Sequence, residues 1–582
     1  MKEFFKMTLA TVAGLFVFGL AALFIMIAMV GALATFGEST PVMPEKGVLA
    51  LDMSTITLAE QDKEADPFAS LTGGDQATAS IGIYNAIQAV NAAAEDPAVA
   101  FIYMKPDGVV SGLAGIEEFR TALKEFRNSG KAIVSYMENP TNAGYYLASV
   151  SDKIYMTSNI GSMNMFSGLS SQMFFLKDAL DRLGINVQLI RHGKYKSAGE
   201  TFVRSSSSKE NLEQNEAMID SMWKSLADEI TEARGITTEE LNDMLNNLEL
   251  VLPEDFLEKG LVDELLTRHE LEQKLCDLYV AEDIEDVKTI SLPDYIKVKK
   301  EVNLKATDKV AVIYANGDIV DGNGKQNVAG NRFADIISDV RKDTTVKAVV
   351  LRVNSPGGSV MASEMIQKEL ALLRENVPVI ASYGDYAASG GYWISANCDK
   401  IYANATTLTG SIGVFSMIPD FSRTINDKLH VNITAVNSNR HADMMGMMRP
   451  LDVKETAYLQ ASVEKVYETF TELVAQGRDM TVPEVDAIAQ GRVWTGSEAL
   501  GIGLVDEIGT IQDAIEYAAF SIEGVESLDD VQIVEYPKPL STIDILLESF
   551  GTEASIAGID IDQINRSFGK AYARLPYVID IK

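Results

Sequence analysis

Two short stretches of small residues could carry chemistry in this chain. Ser355-Pro356-Gly357-Gly358 follows the β-branched run Ala348–Val353, and Ala388-Ser389-Gly390-Gly391 follows the run Val377–Ser382. Acyl transfer needs a hydroxyl aimed at a carbonyl and backbone N–H donors waiting for the oxyanion that develops. Two facing glycine elbows supply both. Ser389 is the candidate nucleophile, because it closes a strand and precedes a helix predicted to begin near Tyr392, at the positive end of that helix with little side-chain cover. Either elbow alone would be ordinary turn chemistry.

A serine hydroxyl needs a base near neutral pH. His441 or His430 could complete a Ser-His-Asp triad, yet neither adjoins a glycine elbow or an obvious orienting acid. A lysine serves equally if apolar burial or neighbouring cations lower its pKa. Lys196 lies in Arg191-His192-Gly193-Lys194-Tyr195-Lys196-Ser197-Ala198, with Arg191 and Lys194 as the nearby cations.

The elements that must position these groups read as strands alternating with amphipathic helices. Ala362, Ile366, Leu370 and Leu373 fall on one helical face between the two elbows. The pattern also repeats. Ser151-Asp152-Lys153-Ile154-Tyr155 recurs as Cys398-Asp399-Lys400-Ile401-Tyr402, and Lys131–Tyr136 lies at the same spacing over Pro378–Tyr383. Gly260-Leu261-Val262-Asp263-Glu264 returns as Gly503-Leu504-Val505-Asp506-Glu507. Two halves of one fold are therefore expected. The repeat assigns the chemistry to the second half: Gly357 and Gly358 fall on Val110 and Ser111, and Ser389-Gly390 on Asn142-Ala143. Lys196, by contrast, falls on Ala442. The base candidate belongs to the first half alone.

At 582 residues the chain exceeds a single ordinary core. Its net charge of −33 argues against a nucleic-acid partner, which wants a basic face. Cys276 and Cys398 make no disulfide or metal framework, and four histidines lack ligand spacing, so no metal is expected. Between Lys6 and Glu38 no charged residue occurs, a run longer than the roughly 20 residues a membrane helix needs. Lys2 and Lys6 before it and acidic residues after it predict a cytoplasmic N-terminus with the rest outside. Glu60–Gly74 reads as a surface loop, and the charged connector Lys297–Lys309 as a domain boundary. The expected organisation is a membrane anchor over 1–40, a degenerate domain over 41–300 and a catalytic domain over 301–582.

The SPGGS, ASGGYW and TGSIGV segments, with YKSA in the first half, together resemble the signal peptide peptidase A family in its long, duplicated, membrane-anchored protease IV form. The resemblance spans nearly the whole chain. It implies an α/β fold of two tandem crotonase-like ββα spiral domains behind the anchor, and a serine peptidase whose Ser/Lys dyad is divided between the halves. Carried over by motif, Ser389 is the nucleophile, Lys196 the general base, and Ser411 of TGSIGV the serine that orients the lysine. Gly358 and Gly390 supply the oxyanion N–H groups, with Gly357 an alternative to Gly358. No cofactor is implied. The implied substrates are cleaved signal peptides, the assembly a homotetramer, and the location an inner membrane with periplasmic catalytic domains. One departure is visible: Gly199-Glu200-Thr201-Phe202 follows YKSA where the family pattern expects Val-Glu-Pro-Phe. Two rival classes are a crotonase-like acyl-CoA enzyme, disfavoured by an extracytoplasmic location, and a membrane scaffold with a vestigial site, disfavoured by the retained serine, lysine and glycines.

Overall fold

The computed structural model describes residues 41–62, 78–299, 306–538 and 572–574, with short pieces between 6 and 19. Most of the expected membrane span and most of the Glu60–Gly74 loop lie outside the described residues. Among the described residues no helix is long and apolar enough to cross a membrane.

Each half is built on a mainly parallel sheet whose strands are hydrophobic enough to be buried on both faces, as parallel sheets require. In the first half the order is Glu264–Leu266, Lys153–Thr157, Ile133–Met137, Val99–Lys105, Gly47–Asp52, Thr289–Ser291. In the second half the corresponding path is Glu507–Ile508, Lys400–Ala403, Val379–Ala388, Val346–Ser355, Lys309–Asn316, Gln532–Tyr536. The two paths visit equivalent strands in the same order. The duplicated segments of the sequence are thus two α/β units of one topology.

The second sheet has an addition. Val379–Ala388 runs long enough to pair first with Lys400–Ala403 and then, at Tyr386–Ala388, with Leu408–Gly410, which in turn pairs antiparallel with Val493–Thr495. The equivalent strand of the first half, Ile133–Met137, stops after five residues. The extension carries the chain to Ser389.

A third sheet joins the halves. Asn186–His192 leaves the first half and pairs antiparallel along its full length with Val414–Asp420, from Val414 opposite His192 to Asp420 opposite Asn186. Lys196 follows four residues beyond that strand and is delivered to the second half by this pairing.

The helix Leu113–Asn128 also reaches across. Its Glu118 meets Arg352 of the second half at 2.7 Å, and Arg352 is 1% exposed. The guanidinium also bonds Glu60 at 2.6 Å, Ser382 Oγ at 2.9 Å and the Tyr383 carbonyl at 3.1 Å. Glu117 accepts from the Ala405 and Thr406 amides and the Thr406 hydroxyl. Removing one member of such a cluster strands the others without water. Arg352→Met is therefore expected to destabilise the protein by about 3–5 kcal/mol, read as a lowered midpoint in urea unfolding. An unchanged midpoint would show that Glu60 and Glu118 are accommodated without the cation.

Candidate active site

The second elbow is strained where the sequence puts its serine. Ser389 has φ 56° and ψ −111°, an uncommon conformation for a residue with a Cβ, and it caps the helix Gly390–Ser395, two residues earlier than expected. The amide of Ser389 donates to the Gly410 carbonyl at 2.8 Å, and its carbonyl accepts from Trp393 at 2.8 Å. These bonds hold the turn, so the strain is supported from both sides.

The glycine strand Gly357–Ser359 lies against this elbow. A Cβ on Gly357 would stand 2.6 Å from the Gly390 nitrogen, and one on Gly358 would stand 1.9 Å from the Ile319 carbonyl. No larger residue fits at either place. Gly357 has φ +96°, and its amide donates to Ser355 Oγ at 3.2 Å. The two elbows face one another, as the paired motifs predict.

Lys196 enters from the opposite side. Its Nζ lies 2.7 Å from Ser389 Oγ and 2.9 Å from both the carbonyl and the hydroxyl oxygens of Ser411. Lys196 is 1% exposed, and Ser389 and Ser411 are 0% exposed. Burial alone holds the Lys196 amine well below the ordinary lysine range. The expected help from neighbouring cations is not what lowers it: Arg191 turns away, donating to the Lys196 carbonyl at 2.7 Å and to Glu200 at 3.1 Å. A neutral amine has two N–H groups and one lone pair. Its two protons suit the Ser411 oxygens, which leaves the lone pair for the Ser389 hydroxyl.

Glycines missed in the sequence make room for the lysine stem. A Cβ on Gly491 would meet Lys196 Cβ at 2.5 Å, and one on Gly413 would meet its Cδ at 3.2 Å. Gly491 follows Gln490, which has φ 55° and accepts from the Tyr195 amide at 2.9 Å. Gly413 belongs to the TGSIGV motif, whereas Gly491 carries no signal beyond its glycine. The departure after YKSA has its own cause: Gly199 has φ +93°, and a Cβ there would stand 2.7 Å from Leu189 and 3.1 Å from the Met417 sulfur. Glu200 remains buried on Arg191 and the Ser208 amide.

The histidines do other work. His441 Nδ1 lies 2.8 Å from Glu455, a carboxylate also gripped by Arg449 at 2.7 Å, while His430 is exposed. His441, Asp452 and Glu455 are close enough to hold an ion, but Arg449 already supplies the positive charge there. Cys398 is buried and Cys276 half-buried, and both are free thiols.

The equivalent elbow of the first half is filled by its own chain. Asn142 accepts from the Ser167 and Gly168 amides and donates to the Gly168 carbonyl, and Thr141 bridges Met165. Val110, in place of the first elbow glycine, takes the Leu58 amide at 3.1 Å. This pocket is a structural joint.

The sequence matches the Peptidase family S49 model over residues 125–280 and 371–523, one match in each half. It is 33% identical over 500 residues to "Protease 4" of Haemophilus influenzae, covering 83% of this chain and 80% of that protein. It is 38% identical to "Protease 4" of Salmonella typhi, covering 68% of this chain and 65% of that protein. It is 31% identical to "Serine protease SPPA, chloroplastic" of Arabidopsis thaliana, covering 80% and 69% respectively.

Proposed function

We propose, for a chain that belongs to peptidase family S49 and is thereby a serine-type peptidase, that Ser389 and Lys196 form its catalytic dyad and that it degrades cleaved signal peptides at a membrane. The observation that carries this reading is the 2.7 Å approach of Lys196 Nζ to Ser389 Oγ inside a buried site assembled from both halves. Ser389 Oγ attacks the peptide carbonyl, and neutral Lys196 takes its proton. The Gly358 and Gly390 amides meet the oxyanion. Gly358 is favoured over Gly357, whose amide is already spent on Ser355. Lys196 then protonates the departing amine, and water hydrolyses the acyl-enzyme.

The finer parts of the reading rest on the motif resemblance. The repeated strand order supports two crotonase-like spirals, and the uncharged run after Lys6 supports a membrane anchor with the catalytic halves on the periplasmic side. The assembly proposed is a homotetramer. Detergent-extracted full-length protein should hydrolyse a synthetic signal peptide, resist alkaline extraction from membranes and sediment as four chains. Absence of signal-peptide turnover while casein is cut would remove the substrate assignment and leave the peptidase.

Ser411 orients the base through its hydroxyl. Ser411→Ala leaves the carbonyl contact and removes the other, so kcat should fall about 10-fold, the worth of one hydrogen bond, with KM nearly unchanged. Steady-state kinetics on a fluorogenic peptide would read this, and an undiminished kcat would reduce Ser411 to a structural serine.

A further inference from the structure

The helix Leu113–Asn128 of the first half starts on Gly112, which has no side chain with which to cap it. The cap comes from the other half. Asp385 Oδ1 accepts from the Ala114 amide at 2.9 Å, in the first turn, where a helix leaves its N–H groups without partners and favours negative charge. Gly112 makes room for that carboxylate: a Cβ there would stand 1.6 Å from Asp385 Oδ2 and 2.1 Å from its Cγ. The backbone of Gly112, at φ −70°, would suit any residue, so it is the approach of Asp385 that requires glycine.

The same helix also holds the strand next to the one that carries Asp385. Glu117 takes the Ala405 and Thr406 amides at 2.8 and 3.2 Å, and Glu118 takes the Asn404 side-chain amide at 2.7 Å, just before the strand Leu408–Gly410. The two gripped strands are cross-bonded. The Thr407 hydroxyl donates to the Gly384 carbonyl and the Thr409 hydroxyl to the Ala387 carbonyl, both at 2.7 Å. Both strands end at the nucleophile, since Asp385 stands four residues before Ser389 and the Gly410 carbonyl accepts the Ser389 amide. Burial and the Glu60 carboxylate push the Asp385 carboxyl up to about 6, against the pull of the Ala114 amide and Arg352, with Glu118 adding to the rise. Asp385 is therefore mostly ionised at neutral pH, the form that the helix end favours.

We infer that Asp385 is a positioning residue for Ser389: by capping Leu113–Asn128 it locks the strand that delivers the nucleophile onto a helix of the other half. This inference rests on the peptidase reading of the site. The first half thus contributes to the reaction twice, once through Lys196 and once through a helix that touches neither member of the dyad. A displacement of about 1 Å at a reacting atom can cost on the order of 100-fold in rate, so a latch on these strands bears on turnover as well as on stability.

The test uses full-length protein and a fluorogenic peptide, well below the melting temperature of each variant. Asp385→Ala should lower kcat by on the order of 10-fold with KM nearly unchanged, and should slow labelling of Ser389 by a fluorophosphonate by the same factor. Asp385→Asn keeps an oxygen for the Ala114 amide and should recover most of that loss. Gly112→Ala acts from the other half, its methyl displacing the carboxylate, and should reproduce the Asp385→Ala result; it also serves if Asp385→Ala does not fold. With Asp385 already alanine the methyl has space, so the double variant should be no slower than Asp385→Ala alone. Undiminished kcat in Asp385→Ala or in Gly112→Ala would overturn the positioning role, as would an equal loss in Asp385→Asn or losses that multiply in the double variant. Failure of the peptidase reading would show separately, as absence of turnover in the unsubstituted protein.

Discussion

Ser389→Ala should fold normally and lose peptide turnover by on the order of 10⁴-fold or more, as removal of a covalent nucleophile does in serine hydrolases. The fold is expected to survive because the elbow is held by backbone bonds, from the Ser389 amide to Gly410 and from Trp393 to the Ser389 carbonyl, which alanine keeps. The strained φ of 56° is no harder for alanine than for serine. Only the hydroxyl opposite Lys196 is lost. Asn142→Ala is the matched control, made at the equivalent elbow of the first half. Its side chain ties the loop at Ser167 and Gly168, so the substitution costs local stability and leaves turnover nearly intact. Active-site titration with a fluorophosphonate should label the Asn142→Ala protein and not the Ser389→Ala protein. Comparable loss of turnover at both positions would mean that the elbow of the first half also serves the reaction and that the repeats have been misassigned.

The parts of this site that the sequence discloses are those built from local pattern. Strand, glycine turn and helix follow one another within a few residues of Ser355 and Ser389, and the duplicated Asp-Lys-Ile-Tyr segments align the halves without any structure. The decay of the first elbow is visible in the same alignment, because Asn142 stands where the serine would be. What joins Lys196 to Ser389 is of another kind. It depends on Asn186–His192 pairing with Val414–Asp420, and a strand's periodicity does not name its partner. The motif resemblance points to this pair where periodicity is silent.

Three other features were hidden for physical reasons. The sequence predicts that burial lowers the lysine's pKa, but like charge from Arg191 adds nothing because Glu200 neutralises that guanidinium. Glu117 and Glu118 look like ordinary solvated helix residues in the sequence, yet they are the acids that dock the first half onto Asn404, Ala405, Thr406 and Arg352. Tyr572–Arg574 is too short to announce itself as a strand. It acquires that form only from the two edges on either side of it.

Lys196 should prove both the most costly residue for catalysis after Ser389 and a liability for stability. An unperturbed lysine has a pKa of about 10.4, and the folded value lies well below it because the amine is buried. Activity as kcat/KM should rise with pH through that depressed value and then level, since only the neutral amine can take the serine proton. Lys196→Arg should be inactive, because a guanidinium stays charged and cannot take the serine proton. For stability the sign is fixed by proton counting. Between the folded and unfolded pKa values the unfolded chain binds a proton that the folded chain does not, so stability rises with pH across that window. At neutral pH the wild type carries this penalty. Lys196→Met keeps an unbranched stem and removes the titration, so it should abolish turnover while raising the melting temperature by at least about 2 °C at pH 7. The gain should shrink as the pH approaches about 10.4. A Lys196→Met protein that melts below the wild type at pH 7, or whose advantage grows toward alkaline pH, would show that the lysine is charged in the folded site and cannot be its base.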